Sequence, residues 1–175
     1  ASPAASELEI VTINWLLKMF GLPSKKGGGL FTSGGSIANL TALVTARNKK
    51  CGEDFSKARI YLSDQAHSSN VKAIRIMGFK KEQIRIIPTD SEFKFSVNKL
   101  KNAIARDRLE YFVPFCVIAS AGTTNTGTVD PLREIATICK DENIWFHVDA
   151  AYGGAAILSQ QGKKLLNGIQ KADSI

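Results

Sequence analysis

The run Phe112-Val-Pro-Phe-Cys-Val-Ile-Ala119 is apolar without interruption. A strand with one wet face alternates apolar and polar residues. A strand with no polar residue must be covered on both faces. In a chain of 175 residues, a mostly parallel sheet with helices on either side meets that condition most simply. The flanking sequence carries the matching pattern. Arg59–Leu62, Ile84–Ile87 and Ile144–Val148 read as further strands. Helices are expected over about Ser6–Phe20, Ile37–Lys49, His67–Met77, Ser96–Arg106 and Asp130–Asp141. Strands alternating with helices of about ten residues indicate βαβ units. No internal repeat or linker interrupts them, so one α/β domain accounts for the chain.

The boundary signals are local. Ser6 and Glu9 form a capping-box pattern, and Ile10, Ile13, Leu17 and Phe20 then recur at helical spacing until Gly21 and Pro23. Lys25–Gly29 reads as a loop. Asp130-Pro131 reads as an N-cap followed by a first-turn proline. The chain opens at Ala1 without Met and closes on Ala172-Asp-Ser-Ile175, which resembles the opening of another strand. Both ends are therefore expected to be internal to a longer protein.

The net charge is +7, but the lysines and arginines are scattered. No basic run or aromatic-interleaved stripe favours a nucleic-acid face. Cys51, Cys116 and Cys139 are widely spaced and odd in number. They fit reduced thiols better than a disulfide framework or a zinc site, and no metal is expected. There is no signal-peptide pattern and no apolar run of bilayer length, so no membrane partner and a cytoplasmic location are expected.

Four segments at expected strand ends could carry chemistry. Ser33-Gly-Gly-Ser36 precedes a helix whose first N–H groups lack intrahelical partners. It is either an ordinary capped turn or a phosphate cradle. His67 follows a strand and opens a helix; it is either a cap or an imidazole that stacks on a flat cofactor. Gly122-Thr-Thr124 follows the most apolar strand, and its paired hydroxyls could bond a ligand edge. Asp149 ends the strand Ile144–Val148 before Ala150-Ala151-Tyr152-Gly153-Gly154. It is either a turn cap or a carboxylate that keeps a heterocyclic nitrogen protonated. The alternation puts Trp145, His147 and Asp149 on one face, and His147, inside the strand, reads as a hydrogen-bonded core residue. In open α/β sheets ligands bind at these strand ends. A phosphate cradle, a ring stacker, hydroxyls and a carboxylate together suit pyridoxal phosphate.

The same motifs carry a resemblance. Ser2-Pro-Ala-Ala-Ser-Glu-Leu-Glu9, His67-Ser-Ser, Gly122-Thr-Thr124, His147-Val-Asp-Ala-Ala-Tyr152 and Leu166-Asn-Gly-Ile-Gln-Lys-Ala-Asp-Ser174 occur in that order. The chain resembles the group II pyridoxal-phosphate-dependent amino-acid decarboxylases, including the aromatic-L-amino-acid branch. The resemblance implies an aspartate-aminotransferase-like large domain, with residues 1–175 as its central part and the N-terminal segment and C-terminal small domain outside it. It implies that Gly35 and Ser36 bind the cofactor phosphate and His67 stacks on the ring and contacts substrate. It further implies that Thr124 and Ala151 lie beside the cofactor and Asp149 pairs with the pyridinium nitrogen. His67 and Asp149 would be the catalytic pair. The implied reaction converts an L-amino acid to its amine and CO2. Ser2-Pro-Ala and His67-Ser-Ser lean toward aromatic substrates, with glutamate and diaminobutyrate open. The full-length protein is expected to be a homodimer acting on a small molecule. The family's cofactor-bearing lysine lies in a Pro-His-Lys motif beyond Ser174, so this stretch alone is expected to be inactive. A non-catalytic module that binds pyridoxal phosphate or phosphate, a pseudoenzyme, and a different pyridoxal-phosphate reaction on the same fold are the alternatives.

Overall fold

The structure, a computed structural model, describes residues 2–23, 25 and 27–175. The reading of Lys25–Gly29 as a loop holds for the residues described there, and Lys26 lies outside them.

Strand β3 (Val113–Ser120) is the spine. It pairs with β1 (Ala58–Ser63) on one side and β4 (Trp145–Asp149) on the other. Strand β2 (Ile84–Ile87) lies outside β1, giving the order β2-β1-β3-β4 with every pair parallel. Pro114 interrupts neither the strand nor the sheet. The pairing skips from Arg59–Pro114 to Ile60–Cys116, which leaves Phe115 as an extra residue on β3. A proline inside a central strand is tolerated at such a bulge, where no ladder amide is required of it.

Period-two alternation then divides the core. Ile60, Leu62, Cys116 and Ile118 face helices α2 (Gly35–Lys50) and α3 (Ser68–Ile76), where Leu43, Ala46, Ala73 and Ile74 meet them. Tyr61, Val117, Ala119, Phe146 and Val148 face α4 (Val97–Leu109) and α5 (Leu132–Asp141), against Leu100, Ile104, Ile135 and Cys139. Both faces are thus covered, as the apolar run on β3 requires. Ser174 forms a parallel bridge to His147, and Val148 N donates to Ser174 O over 2.9 Å. The closing residues therefore add to the free edge of β4.

The order of strands sets where a ligand can sit. The chain leaves β1 for β2 on one side, then returns to β3 on the other. The reversal leaves a crevice beyond the carboxyl ends of β1 and β3.

Two expectations are corrected. Helix α1 (Pro3–Phe20) starts earlier than the Ser6 capping box. Pro3 has the φ of a first helical residue, and Ser2 Oγ accepts from Ala5 N over 3.4 Å. Glu9 instead accepts from Phe31 N, at 2.7 Å, and ties the 27–31 segment to α1. The apolar stripe of α1 is only partly covered: Leu17 is buried, Ile13 and Phe20 are half-buried and Ile10 is exposed, as are Leu8 and Trp15 beside it. Finally, the Asp130 side chain does not cap α5. Its carboxylate is buried and accepts from Phe95 N (2.9 Å) and Ser120 N (2.7 Å), so it clamps the end of β3 to the segment before α4. Among the described residues no helix is long and apolar enough to cross a membrane.

Burial pushes the Asp130 carboxyl up to about 6, against the opposing effect of its two backbone donors. A raised acid binds its proton more tightly in the folded state. Its contribution is therefore fully present below the ordinary carboxylate range and is lost as pH rises through about 6. Replacing Asp130 by Ala strands two buried amides and should cost about 2–4 kcal/mol in denaturant unfolding. Against an Asp130→Asn variant, the wild-type stability should decline between pH 4 and 6; a parallel pH profile would contradict this.

Candidate active site

The carboxyl ends of β1, β3 and β4 and the first turn of α2 enclose a cleft of about 260 Å³. Gly35, Ser36, His67, Thr124, Asp149 and Ala151 all line it. They arrive from four places, the start of α2, the start of α3, the turn after β3 and the end of β4, over a sequence span of more than a hundred residues.

Asp149 is the last residue of β4, paired in register with Ser120 at the end of β3. It is only 7 % exposed. Its Oδ2 accepts from Asn39 Nδ2 (2.9 Å) and from Asn70 Nδ2 (2.8 Å). Its Oδ1 accepts from Ala151 N over 3.2 Å, so the turn-cap role and the cleft-lining position coexist. Among the described residues no cation pairs with it. Neutral donors compensate its burial without cancelling its charge.

Behind it lies a hydrogen-bond chain whose direction can be deduced. A carboxylate only accepts, so Asn39 must present its Nδ2 to Asp149 and its Oδ1 to His147. His147 Nε2, 3.1 Å away, must then donate. His147 is fully buried, and burial depresses it to about 4 against the pull of Asp149, so it is neutral near pH 7. Its bare Nδ1 accepts from Ser174 Oγ over 2.9 Å, and Ser174 Oγ accepts from Trp145 Nε1, also at 2.9 Å. The core reading of His147 holds, but its bonds run to the cleft carboxylate through one amide.

His67 is the N-cap of α3 and lines the cleft as well. Its Nδ1 accepts from Ser69 N at 3.3 Å and lies 2.8 Å from Ser69 Oγ. With Nδ1 occupied as an acceptor, the neutral ring carries its proton on Nε2.

The first turn of α2 begins earlier than the Ile37 expected. Gly34 is the N-cap, at φ 120 and ψ 168, a region open essentially to glycine alone. Gly35 and Ser36 are therefore helical, and their amides meet no acceptor among the described residues. A Cβ on Gly35 would sit 3.0 Å from Ala151 Cβ, which shows how closely α2 approaches the β4 turn. The paired threonines divide their work. Thr123 is buried and holds its own loop, with Thr128 N donating to its Oγ1 over 3.2 Å. Thr124 is exposed to the cleft.

Asn39 and Asn70 were not singled out from sequence. The available signal was positional. Each lies within the first turns of a helix that opens at the cleft, and each faces the sheet, where an amide is costly without a partner.

The turns after β3 and β4, which both reach the cleft, meet through backbone contact. A Cβ on Gly153 would lie 2.3 Å from Ala121 O. Gly153→Ala should therefore force the β3 and β4 turns apart and lower stability by about 1–3 kcal/mol in denaturant unfolding. An unchanged midpoint would show that these turns yield freely.

Comparison with known proteins agrees with this geometry. The model of the pyridoxal-dependent decarboxylase conserved domain matches residues 1–175. The chain is 50 % identical to an aromatic-L-amino-acid decarboxylase from Bacillus atrophaeus, over 100 % of this chain and 36 % of that protein. It spans little more than a third of that relative's length. Among solved structures, the Rhodiola rosea 4-hydroxyphenylacetaldehyde synthase superposes with a TM-score of 0.91 at 37 % identity, covering 98 % of this chain and 39 % of that one. The Oryza sativa TDC solved with PLP and tryptamine gives 0.89 at 34 % identity, covering 98 % and 38 %. The four-stranded parallel sheet is accordingly part of an aspartate-aminotransferase-like fold, and the chain belongs to the pyridoxal-dependent decarboxylase family.

Proposed function

We propose that the protein containing this chain decarboxylates an L-amino acid, with an aromatic side chain, to its amine and CO2, using pyridoxal phosphate. The observation that carries the reading is the Asp149 carboxylate, paired with no cation among the described residues and held by two buried amides in a cleft that also receives the first turn of α2.

The residues present fit the cofactor. A phosphate needs donors and room. The amides of Gly35 and Ser36 are free of acceptors among the described residues, the Ser36 hydroxyl adds a donor, and a Cβ on Gly34 would meet nothing within 4 Å. The helix dipole favours an anion there by about 0.3–1 kcal/mol. A basic ring nitrogen needs an anion, and Asp149 Oδ1 has a lone pair to spare.

When bound, pyridoxal phosphate supplies an electron sink for the pair left at Cα as CO2 departs. Asp149 holds a proton at the ring nitrogen, which keeps that sink strong. Ser36 and the two amides anchor the phosphate and fix the ring's position. His67 would lie against the ring and offer its Nε2–H on the substrate side. Thr124 and Ala151 would border the ring, one with a hydroxyl and one leaving space. These roles make His67 and Asp149 the catalytic residues of this stretch.

The cofactor also requires an amine from the protein. Among the described residues no lysine lines the cleft. Lys171 ends a short helical turn, Ile169–Lys171, elsewhere. We therefore place the cofactor-bearing lysine outside residues 1–175, in the remainder of the large domain, with a small domain following. The full-length protein is proposed to be a cytoplasmic homodimer. The apolar side chains exposed along α1 support a covered surface there.

One similar structure is that of an aldehyde synthase, which favours a second reading: with dioxygen as oxidant and water as co-reactant, the nitrogen leaves as ammonia and an aldehyde is released in place of the amine. In the full-length protein, Asp149→Ala should cut CO2 release from an aromatic amino acid by several orders of magnitude. Near-normal turnover would defeat the assignment, and an aldehyde product would select the second reading. Purified residues 1–175 should release no measurable CO2; robust activity would show that the missing amine is not required.

A further inference from the structure

Asn70 makes a poor core residue. It is fully buried, and its Oδ1 has no partner among the described residues. An orphaned carbonyl of this kind costs about as much as a good hydrogen bond returns. A leucine or methionine would fill the space without that cost. What the amide supplies is a donor aimed at Asp149 Oδ2, 2.8 Å away. Asn39 aims a second donor at the same oxygen from another helix, at 2.9 Å. The neutral His147 fixes the orientation of Asn39, because its Nε2–H can face only the amide oxygen.

The consequence is an asymmetric carboxylate. Oδ2 has both lone pairs engaged. Oδ1 has one, through the Ala151 amide at 3.2 Å, and keeps the other free. Donors on the far oxygen favour the ionised carboxylate. In a pair made of that carboxylate and a ring nitrogen, the shared proton then stays on nitrogen.

We infer that Asn39 and Asn70, with His147 acting through Asn39, are positioning residues that present Asp149 Oδ1 to the cofactor and keep the proton on its ring nitrogen. The inference rests on the role proposed above for Asp149, and it extends the site to two amides and an imidazole that need not touch the cofactor.

The test uses the full-length protein, stripped of cofactor and reloaded with pyridoxal phosphate carrying 15N in the ring. The nitrogen resonance reads the proton directly, independently of turnover. Wild type should show a protonated ring nitrogen. Asn39→Ala, Asn70→Ala and His147→Phe should each move the resonance toward the unprotonated value and raise the cofactor's dissociation constant about tenfold. His147→Gln, which returns an N–H near the position of Nε2, should restore both. If His147→Phe fails to fold, the two asparagine variants and His147→Gln decide the matter. A wild-type resonance in the asparagine variants, alongside a shifted one in Asp149→Ala, would overturn this inference and leave the role of Asp149 standing. An unshifted resonance in Asp149→Ala would overturn both.

Discussion

Keeping a carboxylate ionised at the end of a buried strand is the constraint from which this site follows. Unpartnered, such a charge costs several kcal/mol. Asp149 cannot draw enough donors from its own turn, which supplies only the Ala151 amide. The remaining donors come from α2 and α3, and each must start its helix over the carboxyl edge of the sheet to deliver an amide there. That requirement also brings Gly35 and Ser36 to one side of the cleft and His67 to another. The electrostatic demand of one residue thus sets the placement of two helices, and those helices carry the rest of the site.

A second buried carboxylate shows how different the solution can be. Asp107 on α4 accepts from the Tyr61 hydroxyl at 2.8 Å and from Arg85 through both of its oxygens. Arg59 lies near it, stacked on Phe112 with its guanidinium 3.3 Å from the ring centre. Cations neutralise Asp107, so it has no charge left to offer and serves to join α4 to β1 and β2. Among the described residues, amides alone compensate Asp149. Two aspartates of similar burial therefore have opposite electrostatic roles, decided by whether their partners are charged.

Much of this was legible in the sequence. The unbroken apolar run on β3 required a sheet covered on both faces, and the strand–helix alternation required parallel pairing. Residues at strand ends, such as His67, Thr124 and Asp149, then fell at the ligand edge without any tertiary information. The rest depended on distant contacts. Nothing local marks Asn39 as a partner of a carboxylate more than a hundred residues away. Asp130 precedes a proline and looks like a cap, yet its true acceptor role depends on the Phe95 amide, which only the packed structure brings near. The early start of α1 is legible in Ser2-Pro3, a stronger signal than the capping box that follows it, because proline fixes its own backbone angle.

Ser174 gives this arrangement a further implication. It belongs to the segment that lies against the outer edge of β4, and its hydroxyl begins the chain of bonds that ends on Asp149. Without that segment His147 would lose the hydroxyl that engages its Nδ1, and Asn39 would be oriented by Asp149 alone. A strand edge that lines no part of the cleft thus contributes to its electrostatics.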